Sequence, residues 1–202
     1  MKAGNQIEAE FFKKLKPQLQ AVADDIFYVC GMYDEATAEL IFTSDGVVKN
    51  MVFIEELVQN APIIKGWKFT AHKQPIPHAN SIIKLHGYEF GAHNLMFYAV
   101  DNPAYPDEID IRIIHAQGTH ENEKDITTGV YLYLDNLLGE LEFVLQIDNL
   151  EVLVAPSDAQ HLIPVTKLKE YLVWRQKEFI EKYEGVHYHT EQDTYTVLEG
   201  KH

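Results

Sequence analysis

Residues 132–154, "LYLDNLLGELEFVLQIDNLEVLV", constrain the fold more than any other part of the chain. Two hydrophobic periods compete within them. Leu141, Phe143, Leu145 and Ile147 alternate as a strand would, while Leu137, Leu141, Val144, Leu145 and Asp148 lie at helical spacing. A strand over 141–154 would slip phase between Ile147 and Leu150 and turn its apolar set to the opposite face. A short helix from about Glu140 to Asp148, with a strand at 150–154, needs no slip. The two Asp-Asn-Leu copies, at 135–137 and 148–150, then read as boundaries. The first leaves a strand over "VYLYL" (130–134), and the second leaves the helix and enters the next strand. Glu140 falls in the first turn of that helix, facing unpaired amides and the positive end of the dipole. That position accounts for an acid without chemistry. The competing reading is a catalytic acid whose pKa is raised by neighbouring leucines.

The remaining pattern is mixed. Ile7, Phe11, Leu15, Leu19, Val22 and Ile26 give an N-terminal helix over 6–24, interrupted at Pro17. "IFYVCGMY" (26–33) reads as a buried strand, and 38–46 as its hairpin partner across Asp34-Glu35. Val47, Met51, Ile54, Val58 and Ala61 step as a helix that ends before Pro62. "KGWKFTAHK" (65–73) alternates as a strand. Residues 74–93 look irregular, with "SIIKLHGYEF" as one short strand. Strands follow at 94–101 and 108–116, where Ile109, Ile111 and Ile113 alternate with Asp110 and Arg112. Residues 117–129 form a polar loop. Ser157 and Gln160 make a capping-box pattern, and 166–184 reads as a terminal helix capped by Gly185. These elements predict an α+β fold: one compact domain over 1–185, with a largely antiparallel sheet and helices packed on it, and a tail or edge strand at 186–202.

Composition excludes several classes. A single cysteine, Cys30, rules out a disulfide framework and a Cys-x-x-Cys motif, and suits a cytoplasmic location. No apolar run approaches the roughly 20 residues that span a bilayer, and the N-terminus does not read as a secretory signal, so no membrane association is expected. The net charge is −14, and residues 101–151 hold twelve acids against Arg112 and Lys124. Such a middle repels phosphates, so no nucleic acid is expected, and it would steer a basic partner.

The segments "DGV" (45–47), "LVQNAP" (57–62), "GWKFTAHK" (66–73), "LYLDNLLGE" (132–140), "IDNLEVL" (147–153) and "LKEYLVW" (168–174) occur in this order. Together they resemble a group of uncharacterised bacterial hypothetical proteins with an Ala-Pro then Gly-Trp-x-Phe element and a Leu-Asp-x-x-Leu-Gly-Glu element. The resemblance covers about 45–174. It implies a single compact domain and a helix after Gly139, and no reaction or cofactor.

The usual chemical motifs are missing. There is no phosphate-cradling Gly-rich loop, and Ser44, Ser81 and Ser157 sit in no nucleophile elbow. Cys30, in an apolar strand, reads as a small buried hydrophobe. His187, His189 and Glu191 would share one face of an extended tail and are the best local metal set, although an exposed polar tail is the favoured reading. His115 and His120 form no His-Glu-x-x-His. Trp67 is a core residue or a pocket wall. Asp107, Glu108 and Asp110 form a solvated acidic turn or a contact for a cation.

The reading favoured by the sequence is a non-enzymatic cytoplasmic binding or regulatory module, without cofactor. It would meet a basic protein partner through the acidic region or an aromatic surface, with Trp67, Asp107, Glu108, Asp110 and Glu140 as candidate binding residues. The alternative is a hydrolase or metal-dependent enzyme that gathers carboxylates and histidines from distant segments. A symmetric apolar patch would instead mark a homo-oligomer.

Overall fold

The computed structural model describes residues 11–76, 82–153 and 161–183, and the backbone of 186–189 and 194–197. The fold is α+β, and most strand pairs are antiparallel. The chain packs as two compact units. One is Met1–Ala79 with Val130–Leu145, and the other is Asn80–Gly129 with Gln146–His202. Among the described residues, no helix is long and apolar enough to cross a membrane.

The first described elements of the first unit are helix α1 (Lys13–Val22) and the hairpin β1 (Phe27–Met32) and β2 (Ala38–Thr43). Helix α2 (Met51–Gln59) then returns the chain to β3 (Trp67–Ala71), which pairs parallel with β2 in the order β1-β2-β3. A parallel partner needs such a crossover, because no tight turn can reverse the chain twice. Leu40 and Phe42 of β2 and Ile54 of α2 join Leu19 and Ile26 in a buried cluster, with Trp67, Phe69 and Ala71 packed against it. Burying side chains of this size stabilises by about 1.5–3 kcal/mol each.

The second unit is built on a four-stranded sheet in the order β8-β7-β6-β9. Its strands are β6 (Leu95–Val100), β7 (Asp110–His115), β8 (Asn149–Leu153) and β9 (Ile163–Pro164). A small hairpin, β4 (Ile83–Leu85) with β5 (Tyr88–Phe90), precedes it. Phe97, Ile111 and Ile113 share one face by register and are fully buried. Helix α5 (Leu168–Tyr183) buries Leu168 and Leu172, and its Tyr171 ring meets the Phe97 ring edge-on at 5.6 Å. β10 (Val186–His189) and β11 (Thr194–Val197) form a separate antiparallel hairpin in the region read as a tail.

Helix α3 (Glu123–Leu138) and helix α4 (Glu140–Gln146) follow β7 in the chain. The helix expected after Gly139 is present, but the strand expected over 130–134 is not. Ile126, Val130, Leu134 and Leu138 step by four and are fully buried, so one helical stripe runs through both the polar loop and "VYLYL". Tertiary burial of that stripe outweighs the β preference of Val and Tyr. Gly129 is required inside α3, because a Cβ there would penetrate the Phe90 ring. Asp135-Asn136 therefore lies within a helix rather than at a strand end.

Three smaller expectations also change. α1 continues past Pro17, its fifth residue, at the cost of the one amide bond that proline cannot donate. β1 is an exposed edge strand rather than a buried one, and Cys30 is exposed with it. The apolar ridge expected on α4 leaves Leu141 and Leu145 exposed; the residue that α4 buries is Glu140. Ser157, Gln160 and Gly185 lie outside the described residues.

Candidate functional site

Glu140 is 1% exposed and stands at the centre of a polar node in the first unit. The node depends on Gly139, which has φ +81°. A Cβ there would lie 2.7 Å from Pro75 Cδ and 3.2 Å from the Lys73 carbonyl oxygen. Glycine therefore serves twice, by its left-handed backbone and by the close approach. It lets α3 end and α4 begin against the end of β3, where the Glu140 amide donates to the Lys73 carbonyl at 2.9 Å.

The Glu140 carboxylate accepts on both oxygens. Oε1 takes the Ser44 amide and hydroxyl, each at 3.0 Å, and the Gly46 amide at 3.3 Å. Oε2 takes the Lys73 amide at 3.2 Å. Burial alone would push this carboxyl up, but the Thr43 hydroxyl, the Lys73 and Gly46 amides and Ser44 outweigh it. The group is held below the ordinary glutamate value and stays ionised. An ionised acid this deeply buried, with four donors aimed at it, has no proton to give and no exposed face for a substrate. Its work is to join the end of β2, the end of β3 and the start of α4.

Lys73 forms the outer ring of the node. Its Nζ donates to Asp45 at 2.8 Å and to Asp135 at 2.9 Å. Burial would lower the Lys73 pKa, but these two carboxylates hold it above its ordinary value. Asp135 is pushed up, first by burial and also by the charges of Glu140 and Asp45, against the pull of Lys73. The 2.9 Å contact between Lys73 Nζ and Asp135 Oδ2 is a formed ion pair. His72 lies beside it, 3% exposed with φ +60°, and among the described residues neither ring nitrogen has a hydrogen-bond partner. The nearest carboxylate oxygens are those of Glu55, 3.5 Å from Nε2, and Glu140, 4.0 Å from Nδ1.

The acidic turn, in the second unit, is a different arrangement. Asp110 is buried and accepts from Asn149 Nδ2 at 2.7 Å, its register partner on β8. Asp148 accepts the Ile109 amide at 2.7 Å. Both acids of this pair fasten the start of β7 and are structural. Asp107 is exposed and Glu108 half-exposed, and among the described residues neither meets a cation within ion-pair distance. Partial burial, then Asp110, Asp148 and Asp107, push the Glu108 carboxyl above its ordinary value. Next to this turn, Pro106, Asp107, Ile109, Arg175, Phe179 and Ile180 line a groove of about 290 Å³. Arg175 does not neutralise the turn. It donates to the Pro106 carbonyl at 2.9 Å and pairs with Glu178 at 3.4 Å and Asp101 at 3.9 Å. Ile180 is 62% exposed on the groove.

The other sequence candidates fall elsewhere. Trp67 is half-buried and stacks on Phe11 at 5.3 Å and on Phe69 at 6.4 Å in the first unit's core. His115 is buried: Nδ1 accepts the Gln117 amide at 3.0 Å, which leaves Nε2 to donate to the Glu89 carbonyl at 2.8 Å. His120 is exposed, 3.9 Å from Glu123, in a polar groove of about 420 Å³ beside the start of α3. Among the described residues, no three His, Cys, Asp or Glu side chains gather to hold a metal ion. The backbone of His187 and His189 lies in β10, and Glu191 is outside the described residues. Lys73, Ser44, His72, Asp148 and Asn149 carry these arrangements, and no motif marks any of them as a site residue. The only local hint was the repeated Asp-Asn, since Asp135 holds Lys73 and Asp148-Asn149 holds β7. Comparison with protein-family models, curated proteins and solved structures finds no match.

Proposed function

We propose that this chain is a non-enzymatic cytoplasmic protein-binding module whose acidic turn and adjoining groove receive a basic segment that also carries an apolar side chain. The supporting observation is the uncompensated charge of Asp107 and Glu108 beside an apolar groove floored by Ile109 and edged by Ile180. A lysine or arginine arriving there would relieve carboxylate repulsion, and its apolar neighbour would cover Ile180. The enzyme alternative has less support. The best-placed carboxylate, Glu140, is consumed by four donors, and the Asp110 and Asp148 carboxylates accept from β8 and the Ile109 amide.

The test separates recognition from folding. Affinity purification from the native host would compare the wild type, the double variant Asp107→Lys/Glu108→Lys, and Ile180→Glu. Asp110 stays unchanged because its contact with Asn149 supports β7. The expected result is a partner with a basic segment, recovered by the wild type and lost, about tenfold or more, by both variants. Equal recovery by all three proteins would sink this reading.

A further inference from the structure

The open edge of β1 is chemically unusual for an edge strand. Its sequence, Phe27-Tyr28-Val29-Cys30-Gly31-Met32, has no charge, no proline and no bulge, the devices that normally blunt such an edge. Phe27 is 50% exposed, Val29 48%, Met32 66% and the following Tyr33 58%. Among the described residues, β1 pairs only with β2.

Backbone direction shows what that edge offers. The Tyr33 amide donates to the Thr37 carbonyl at 2.9 Å, so Tyr33 turns its hydrogen-bonding groups toward the β2 side. Alternation then turns those of Phe27, Val29 and Gly31 the same way. The amides and carbonyls of Tyr28, Cys30 and Met32 face the open edge. These are three donors and three acceptors in a row.

We propose that β1 pairs with β1 of a second copy of this chain, antiparallel about a two-fold axis centred on Cys30, joining two three-stranded sheets into one of six strands. Two independent matches select this partner and this register. An axis perpendicular to the sheet keeps like faces together, so opposed residues must share parity, and the centre must fall on a residue. With the centre on Cys30, Tyr28 faces Met32 of the partner and Cys30 faces Cys30 of the partner. All six outward groups of each strand are then satisfied. Centring on Val29 or Gly31 leaves part of the row unmatched.

Side chains select the same register. Phe27 meets the partner's Tyr33, and Tyr28 meets the partner's Met32, an aromatic pair and a sulfur–aromatic pair. Val29 meets the partner's Gly31, where nothing lies within 4 Å of a built Cβ. No residue from Phe27 to Tyr33 is charged, although each chain carries −14, and the Lys68 Nζ that lies over the Tyr33 ring at 3.7 Å brings a cation rather than a further acid. The exposed apolar residues of β1 are covered by their own symmetry mates.

The experiment is sedimentation of the full chain over a concentration series in reducing buffer, with Val29→Lys beside the wild type. The wild type is expected to reach twice its 23.2 kDa mass. Val29→Lys, on an exposed face of β1, should weaken the dimer by roughly tenfold or more while keeping its circular dichroism. A second readout uses the exposed Cys30 thiol. Directly opposed, hydrogen-bonded residues have Cα atoms about 5.5 Å apart, within disulfide reach, so copper–phenanthroline oxidation should trap a covalent dimer. Cys30→Ser should abolish the trapped species and leave sedimentation unchanged. A chain that stays monomeric at every concentration overturns the proposal. So does a dimer that ignores Val29→Lys and yields no Cys30 cross-link, and so does a monomer whose β1 takes up a foreign strand instead.

Discussion

Glu140 and Glu108 sit in similar acidic, apolar-flanked sequence but in opposite physical settings. Around Glu140, in the first unit, amides and hydroxyls from two strand ends point at the carboxylate and hold its proton off. Around Glu108, in the second unit, partial burial and then the Asp110, Asp148 and Asp107 carboxylates raise the pKa above its ordinary value. The first acid is structural because its surroundings complete it. The second is a candidate for recognition because nothing described around it does. What decides an acid's role is what faces it, and counting acids along the chain does not reveal that.

The largest expected effect falls on the completed acid. Glu140→Gln replaces a buried charged acceptor by an amide that keeps one acceptor and adds two donors opposite existing donors. It should cost about 3 kcal/mol at neutral pH, read by urea unfolding. Because the folded carboxyl is depressed, its stabilisation is complete above the ordinary carboxylate value and is lost as pH falls through the depressed one. The gap between wild type and variant should therefore close on acidification. A gap unchanged in acid would contradict the account of the node.

Gly139→Ala tests the same node through the backbone. The positive φ and the Pro75 contact together should cost about 2 kcal/mol or more, again by urea unfolding. A neutral result would mean that the approach of Gly139 to Pro75 is looser than 2.7 Å implies.

The smallest effect should have the opposite sign. Glu108→Gln removes a charge whose folded pKa is raised, and such a charge costs stability only where it is ionised. The variant should melt at or slightly above the wild-type temperature at neutral pH, and the difference should vanish in acid. Destabilisation comparable to that of Glu140→Gln would erase the distinction between the two acids.

Much of the scaffold was legible from spacing alone. The 47–61 helix, the alternating Ile109, Ile111 and Ile113, and the helix after Gly139 follow from local period and from proline or glycine punctuation. The failure at 130–134 has a clear cause. Val, Tyr and Leu fit either state over five residues, and only the stripe from Ile126 to Leu138 reveals the helix. β1 read as buried because its residues are apolar, and sequence does not say which strand ends a sheet. The candidate site was half legible. Asp107 and Glu108 were named for their charge, while Asp110 turned out to be tied to Asn149. The node around Glu140 was not legible, because Ser44 and Lys73 lie 96 and 67 residues from it in sequence.

The direct test is a side-chain carboxyl titration of the full chain by carbon-detected NMR, following Glu140 and Glu108 together. The account predicts a midpoint for Glu140 below the ordinary glutamate value and one for Glu108 above it. Coincident midpoints, or the reverse order, would contradict the division between a completed structural acid and an uncompensated recognition acid.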